Sequence, residues 1–144
     1  MKIREYKPSD KKQIKEMVSN ILSRIFNGEP AQFEYIREFN SNKNYIKFLV
    51  AEIDSKVIAT MGIKKIDKET VRLKRMYVAR EYQRRGIAQK LLNQLIQIAK
   101  EKKYKKMILS TYSVMEHANA FYKRNGFKEF NGKPIEQIHV MKWL

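Results

Sequence analysis

Apolar residues recur at helical spacing in two long segments of the chain. After Pro8–Asp10, apolar positions follow one another every three or four residues, which places them on one face of a helix with Ser9 as the predicted N-cap. A second segment with this spacing covers about residues 85–102. Both segments predict helices that pack one face against a core. The stripe of the first helix consists of Ile14, Met17, Val18, Ile21, Leu22 and Ile25.

β-branched and aromatic residues dominate three segments in the middle of the chain, at 45–53, 57–66 and 71–78. Short polar turns separate these segments, which predicts an antiparallel meander. Because a strand, a long helix and another strand follow one another between 71 and 111, we expect a right-handed crossover and a parallel pair of strands. The remaining predicted elements are strands at 3–6, 106–111, 127–130 and 135–144 and shorter helices at 33–40 and 116–124.

These elements predict an α/β (α+β) fold, with about four helices around a mixed, mostly antiparallel sheet of about six to seven strands. A length of 144 residues fits one domain with a real core. No repeat, low-complexity tract or Pro/Gly/Ser-rich linker interrupts the chain, so residues 1–144 are interpreted as a single domain.

The amino-acid composition excludes several kinds of catalytic and metal site. The chain has no cysteine, which excludes disulfides, Cys-ligated zinc, iron–sulfur clusters and thiol nucleophiles. His117 and His139 are the only histidines, so we expect no metal site. The 31 Lys and Arg residues against 15 Asp and Glu give a net charge of +16, which attracts nucleic acid, anionic membranes or a phosphorylated cofactor. The alternative is that most of these lysines only solvate the surface.

The hydropathy pattern predicts a cytoplasmic protein without a membrane partner. No stretch of about 18 apolar residues is present, which is the length that a spanning helix needs. The first five residues carry charges where a signal peptide needs its apolar core.

The segment Gln83–Ala88 lies between a predicted strand that ends at Val78 and the start of the longest predicted helix. A helix start presents unpaired N–H groups and partial positive charge, so it binds anions. Gly86 would let a phosphate approach the backbone, and two arginines beside it suit a diphosphate. The alternative is an ordinary glycine-containing loop with exposed arginines.

The segment Ala118–Phe127 combines a predicted helix with a glycine stop. Phe121 and Tyr122 are adjacent on this helix and cannot point the same way, so we expect one in the core and the other facing a cleft. Gly126 fits a left-handed cap, with Phe127 as its apolar contact. Half-buried packing is the alternative role for Tyr122.

Together the two segments resemble the GNAT superfamily of acyl-CoA-dependent N-acetyltransferases. Residues 75–88 are similar to the family's cofactor motif, a strand followed by a Gln/Arg-x-x-Gly-x-Gly/Ala loop. Residues 118–127 are similar to its Ala-x-x-aromatic-Tyr-x-x-x-Gly-Phe motif. The order of the predicted elements also matches, so the resemblance covers essentially the whole chain.

The resemblance implies a sheet that is splayed between its two central parallel strands, with acetyl-CoA in the opening. It implies that Tyr122 stands near the cofactor sulfur and protonates the departing thiolate. Backbone groups of one strand would contact the pantetheine arm, and the amides of the loop and helix start would hold the pyrophosphate. The cofactor-binding residues expected on this basis are Met76, Tyr77, Val78, Gln83, Arg84, Arg85, Gly86, Ile87, Ala88, Gln89 and Asn119.

The chain departs from the family pattern at two positions. Met115 stands where many members have an asparagine that contacts pantetheine, and Asn119 is the candidate replacement, with a plain helix-surface role as the alternative. Arg72 stands where many members have a glutamate that serves as base. A water-mediated base or a backbone carbonyl becomes the better expectation. The side-chain candidates for the base are Glu29, Glu34, Glu38, His117 and His139.

The resemblance therefore implies acetyl transfer from acetyl-CoA to a primary amine of a small molecule or protein. Without cysteine, direct attack in a ternary complex is favoured over an acetyl-enzyme. The alternatives are a non-catalytic acyl-CoA sensor and a basic nucleic-acid-binding module, although no specific nucleic-acid signature is present. We expect a monomer or a homodimer.

Overall fold

The computed structural model describes residues 1–26, 45–112, 115–129 and 137–144. The predicted helix at 33–40 and the base candidates Glu29, Glu34 and Glu38 lie outside these ranges. Among the described residues, seven strands and three α-helices are present. The strands are β1 (Lys2–Glu5), β2 (Tyr45–Ile53), β3 (Lys56–Lys65), β4 (Thr70–Val78), β5 (Lys106–Tyr112), β6 (Lys128–Glu129) and β7 (Gln137–Trp143). The α-helices are α1 (Lys11–Phe26), α2 (Ile87–Glu101) and α3 (Glu116–Arg124).

The strands form one sheet in the order β1-β2-β3-β4-β5-β7-β6. Only β4 and β5 are parallel neighbours, and every other pair of neighbours is antiparallel. The parallel pair is the one joined through α2, as the crossover rule predicts. The predicted mixed, mostly antiparallel sheet is therefore confirmed.

One face of the sheet packs against α1. Ile14, Val18 and Leu22 of this helix are buried against Phe48 and Val50 of β2. The apolar stripe that predicted the helix is thus the surface that it buries, as expected for an amphipathic helix. We refer to the side of the sheet that carries Phe48 and Val50 as the α1 face.

The opposite face packs against α2 and α3. Leu91 and Leu95 of α2 are completely buried in the cluster that contains Met61 of β3 and Leu109 of β5. Phe121 of α3 belongs to the same cluster. We refer to the side of the sheet that carries Met61 and Leu109 as the α2 face.

The hairpin between β2 and β3 turns at Asp54 and Ser55, whose φ angles are 50° and 64°. Two successive left-handed residues are the requirement of the type I′ turn, which matches the twist of the flanking strands. The predicted tight connection is therefore confirmed.

The prediction of Ser9 as the N-cap of α1 is wrong. Ser9 lies inside a 3₁₀ turn, Pro8–Asp10, which precedes the helix. The Asp10 carboxylate accepts a hydrogen bond from the backbone N–H of Lys7, at 2.8 Å, and so closes this turn. Asp10 takes this role because a second partner holds its carboxylate in a buried position.

That partner is Arg4 on β1. The Arg4 guanidinium contacts both carboxylate oxygens of Asp10 at 2.8 Å, and a second carboxylate, that of Glu52, at 3.2 Å. Only 14% of the Arg4 side chain and 5% of the Asp10 side chain is exposed. Such a bidentate, partly desolvated pair ties the start of α1 to the edge of the sheet.

The parallel pairing of β4 and β5 is short. The two strands pair at Thr70–Lys106, Val71–Met107 and Arg72–Ile108, and no further. β4 continues to Val78 and β5 to Tyr112 without pairing to each other. The predicted splay between the two central strands is therefore confirmed, and we call the space between them the opening.

The Arg4–Asp10 pair generates a test of fold stability. We expect Asp10→Asn to lower the free energy of unfolding by about 3 kcal/mol at pH 7, because the largely buried guanidinium loses its bidentate carboxylate and keeps only the longer contact with Glu52. The control is Glu5→Gln, since the Lys47–Glu5 pair is much more exposed and should contribute less than about 1 kcal/mol.

The Arg4–Asp10 pair also predicts that the free energy of unfolding depends on pH. The hydrogen bonds from Arg4 hold the pKa of Asp10 below its ordinary value. The stabilisation should therefore be complete above about pH 5 and be lost as the pH falls through the lowered pKa of the folded state. Urea unfolding at pH 7 and at pH 3 should show a smaller difference between wild type and Asp10→Asn at the lower pH. A difference that stays constant would contradict this role for the pair.

Candidate functional site

A β-bulge shapes the part of β4 that borders the opening. One residue of β3, Met61, lies opposite two residues of β4, Arg75 and Met76. Arg75 has a φ of 60°, which is unusual for a non-glycine residue. The buried Thr60 hydroxyl donates a hydrogen bond to the Arg75 carbonyl at 2.7 Å and holds the bulge. A bulge redirects the backbone groups of its strand, so β4 presents N–H and C=O groups to the opening in a different pattern beyond Arg75.

The segment that follows β4 is fastened to the end of that strand. The Ala79 N–H donates to the Ile58 carbonyl at 2.8 Å, and a 3₁₀ turn follows at Arg80–Tyr82. The Gln83 side-chain amide then donates to the Val78 carbonyl at 3.0 Å. Gln83, predicted as a cofactor residue, therefore positions the loop by its side chain.

The start of α2 has the features of an anion site. Gly86 precedes the helix with a φ of 77° and no side-chain cap. The first helical hydrogen bond runs from the Lys90 N–H to the Gly86 carbonyl, at 3.2 Å. The N–H groups of Ile87, Ala88 and Gln89 consequently have no partner within the helix.

The space outside this loop is open. A Cβ atom built on Gly86 would meet no other atom within 4 Å. Gly86 is therefore required for its left-handed backbone and leaves room in front of the unpaired amides. An approaching phosphate would find partial positive charge and no steric obstacle there.

The two arginines of the loop differ in their surroundings. Arg85 lies over the ring of Tyr82, with its guanidinium carbon 5.3 Å from the ring centre. Arg84 is exposed and has a φ of 63°, so left-handed residues occur at positions 84 and 86. Alternating left-handed residues curve the backbone and turn successive N–H groups towards one side, which favours anions.

Both aromatic residues of α3 are buried, each 8% exposed. Both residues belong to the core, and Tyr122 is the one that also lines a cavity, as expected for one of the two. Their rings pack edge to face at 5.9 Å, and Phe127 packs on Tyr122 at 5.8 Å. The turn at Asn125 and Gly126 folds Phe127 back onto the helix, which is why Tyr122 is covered as well.

Burial raises the pKa of the Tyr122 hydroxyl above its ordinary value, because the phenolate loses its hydration. A second, smaller cause is electrostatic repulsion from Tyr77 on β4. At neutral pH the Tyr122 hydroxyl is protonated and available as a hydrogen-bond donor.

A cavity of about 660 Å³ lies between α3 and the strands β6 and β7. Tyr122 and Asn119 line it, together with Phe127 and Val140. Its size is in the range of small-molecule sites. The loop at residues 83–86 does not line this cavity, so the two predicted halves of the cofactor site are not parts of one closed pocket.

The side-chain nitrogen of Asn119 makes a hydrogen bond, whereas its side-chain oxygen makes none to the described residues. Its side-chain N–H donates to the Tyr112 carbonyl at the end of β5, at 2.9 Å. Its Oδ1 atom is buried and has no hydrogen-bond partner among the described residues. A buried acceptor without a partner is costly, so this atom is suited to an N–H group of a ligand. Met115 lies just before α3, with its sulfur 3.7 Å from the Thr111 hydroxyl.

A reciprocal pair of amides joins the two halves of the site. The Gln89 side chain donates to Asn125 at 2.8 Å, and Asn125 donates back to Gln89 at 3.1 Å. Asn125 also donates to the Phe121 carbonyl at 2.9 Å. The first turn of α2 is thus fixed to the end of α3. The sequence signalled Asn125 only as a helix stop, and no sequence signal pointed to this pairing or to Thr60.

No described side chain stands out as a base. His117 is exposed at the start of α3. His139 belongs to β7, where it pairs with Ser110 in the backbone register. Arg72 is a cation and cannot replace the glutamate expected at its position. It donates a hydrogen bond to the Ser110 hydroxyl at 3.2 Å.

The described residues contain no group of three or more His, Asp or Glu side chains that could hold a metal ion. None of their helices combines the length and hydropathy that crossing a membrane requires.

The chain resembles solved acetyltransferases over its whole length. The PaiA N-acetyltransferase of Thermoplasma acidophilum, solved with coenzyme A, superimposes with a TM-score of 0.86 at 24% identity, covering 99% of this chain and 98% of that one. A GNAT acetyltransferase of Staphylococcus aureus Mu50 gives 0.84 at 24% identity with the same coverage. At this identity the similarity shows the fold.

Curated relatives match over a shorter segment. Human N-acetyltransferase 8 is 36% identical over 87 residues, which is 57% of this chain and 38% of the human protein. The probable N-acetyltransferase camello of Xenopus tropicalis is 36% identical over 85 residues, with the same shares. The chain thus spans less than two fifths of the length of these relatives. The model of the acetyltransferase (GNAT) family matches residues 15–127, and the chain therefore belongs to that family.

Proposed function

We propose that this protein transfers an acetyl group from acetyl-CoA to a primary amine by direct attack in a ternary complex. The observation that carries the proposal is the combination of a β4 edge that β5 leaves after Arg72 with amides at the start of α2 that have no partner within the helix. This combination offers hydrogen bonds to an extended amide-containing chain and an anion site. Acetyl-CoA has this sequence of groups.

The amides from Arg84 to Gln89 hold the pyrophosphate in this proposal, with the arginine charges beside them. The backbone of Met76–Val78 pairs with the pantetheine arm, in the manner of an added strand. Asn119 accepts a hydrogen bond from a pantetheine amide through its free Oδ1 atom, and so replaces the asparagine missing at Met115. The related PaiA N-acetyltransferase was solved with coenzyme A, which supports the same ligand here.

In the reaction, the neutral amine nitrogen forms a bond to the thioester carbon, and the carbon–sulfur bond breaks. Holding both substrates in one opening supplies much of the acceleration through proximity. A backbone N–H of β4 beyond the bulge stabilises the charge that develops on the carbonyl oxygen. The amine proton leaves to water or to a backbone carbonyl, and the absence of cysteine favours a single direct transfer.

Tyr122 stabilises the departing sulfur. A thiol has a pKa of about 8.5, whereas burial raises the pKa of Tyr122 above the ordinary phenol value. The phenol is therefore a weaker acid than the thiol, so Tyr122 stays protonated and donates a hydrogen bond to the thiolate. Complete protonation of the sulfur follows from solvent.

A second candidate function is acyl-CoA binding without catalysis. It is favoured by Arg72, a cation at a position where many family members have a glutamate. An assay of CoA release over a panel of amines, with the mass of each product, separates the two functions. An acetylated product at catalytic turnover supports the enzyme, and stable acetyl-CoA binding without product supports the sensor.

The anion site predicts the effect of a substitution at Gly86. We expect Gly86→Glu to abolish the thermal stabilisation by acetyl-CoA, because it places a negative charge where the pyrophosphate binds. The matched control is Gly86→Ala, whose Cβ would enter open space and carry no charge. It should cost about 1 kcal/mol of stability through its left-handed backbone and retain acetyl-CoA binding. Unchanged affinity in folded Gly86→Glu would contradict the site.

Tyr122→Phe tests the role of the hydroxyl. It keeps the ring and its packing, so the melting temperature and the affinity for acetyl-CoA should stay nearly the same. We expect kcat to fall by roughly 10- to 10³-fold with little change in KM, because only the contact with the leaving sulfur is lost. Steady-state rates and melting curves are measured on the same preparations. Full activity would reject the role, and a parallel loss of stability would favour simple packing.

The raised pKa of Tyr122 predicts the shape of the pH profile. The kcat/KM value should rise with pH as the acceptor amine loses its proton. It should not fall again below about pH 10, because Tyr122 remains protonated there. An alkaline decrease between pH 8 and pH 9.5 that disappears in Tyr122→Phe would show that this hydroxyl titrates lower.

A further inference from the structure

The strands that border the opening carry positive charge and no carboxylate. β4 contains Arg72, Lys74 and Arg75. No Asp or Glu occurs in β4 or in β5. A site for a polycationic acceptor needs the opposite charge, since like charges repel most strongly where water is excluded.

Arg72 projects from the α1 face of the sheet. It pairs with Lys64 of β3, and residues paired across strands share a face. Lys64 is on the same face as Gly62, two residues earlier, where a Cβ would touch the rings of Tyr45 and Phe48. Phe48 belongs to the cluster that packs under α1.

The anion site belongs to the other side of the sheet. α2, whose first turn supplies the unpaired amides, packs on the α2 face through Leu91 and Leu95. Arg72 and the phosphate-binding amides are therefore separated by the sheet. The positive charge of Arg72 is not needed for the phosphates of the acetyl donor.

Arg72 lies where the opening begins. Its backbone makes the last parallel pair, with Ile108, and its Nη1 atom donates to the Ser110 hydroxyl across the gap at 3.2 Å. The side chain is half-buried. Within the described ranges no carboxylate pairs with it, so most of its five N–H donors remain available. A partly desolvated guanidinium of this kind gains strongly from an anionic partner.

We propose that Arg72 binds a carboxylate or phosphate carried by the acceptor, so that the acceptor is an amine bearing an anionic group. The proposal rests on the proposed function, because it places the acceptor on the α1 face and acetyl-CoA on the other side of the opening. Arg72 is a specificity residue that binds the acceptor's anion, and the Ser110 hydroxyl orients its guanidinium. A polyamine or an aminoglycoside would bring a second ammonium against Arg72 and is disfavoured.

The test uses matched amines with saturating acetyl-CoA. One set is 5-aminopentanoate, pentylamine and cadaverine, which have a carboxylate, no charge and a second amine at the far end. A second set is O-phosphoethanolamine and ethanolamine, which separates phosphate from carboxylate as the anion. We expect kcat/KM to be at least about 10-fold higher for the anionic member of one set, with cadaverine the poorest acceptor.

Three variants locate the effect. Arg72→Gln should raise the KM of the anionic amine about 10- to 100-fold with a smaller effect on kcat, and remove the preference over the neutral amine. Arg72→Lys should retain part of the preference, because it keeps the charge without the bidentate geometry. The control Lys65→Gln removes an exposed charge from the other face of β3 and should change nothing. Comparing each amine between wild type and variant cancels differences in amine basicity.

The outcomes separate this proposal from the proposed function. Suppose that acetyl transfer occurs. The proposal is then wrong if Arg72→Gln leaves the preference for the anionic amine unchanged, or if it lowers the melting temperature and all rates together. The proposed function stands in both cases. If no amine is acetylated, the function is wrong, and calorimetry with CoA-saturated protein decides the proposal. Arg72-dependent binding of 5-aminopentanoate or O-phosphoethanolamine supports it, and equal binding of the neutral amine overturns it.

Discussion

The three-residue pairing between β4 and β5 is the constraint on which the site depends. Beyond Arg72 and Ile108 the two strands run apart, although both continue and both stay paired on their outer edges. β4 therefore presents backbone donors and acceptors to the opening. A strand edge that its neighbouring strand leaves is suited to an extended ligand that pairs with it as an added strand.

Two local features keep this edge in shape. The Thr60 hydroxyl holds the carbonyl of the left-handed Arg75, which preserves the bulge in β4. The Gln89–Asn125 pair fastens the first turn of α2 to the end of α3. The start of α2, the edge of β4 that β5 leaves and Tyr122 are thus parts of one framework, as the proposed binding of an extended ligand requires.

Much of the fold could be predicted from the sequence because hydrophobic spacing determines it. The stripe containing Ile14, Val18 and Leu22 is the buried face of α1. The polar turn at Asp54 and Ser55 is a hairpin, and the crossover rule gave the parallel pair. Gly86 stands directly before the longest helix and has open space beside it, as the motif predicted, whereas its left-handed backbone was not predicted.

The errors and omissions have a common cause, which is that they depend on contacts between residues distant in the chain. Ser9 is a good N-cap residue locally, but it lies inside a 3₁₀ turn that the Asp10 carboxylate, held by Arg4, closes through the Lys7 N–H. Tyr122 is buried because Phe127 folds back onto it. The bond from Thr60 to the bulge joins separate strands and leaves no periodic signal in the sequence.

Amide hydrogen exchange with and without acetyl-CoA tests the central claim most directly, because it reports on the backbone groups that the ligand is proposed to pair with. At saturating acetyl-CoA, exchange should slow by at least about 10-fold at residues 73–78 and 84–89. Exchange in the β1–β2 pair should stay the same. Acetyl-CoA binding that leaves the β4 amides unprotected, or that protects only the cavity beside α3, would contradict the account.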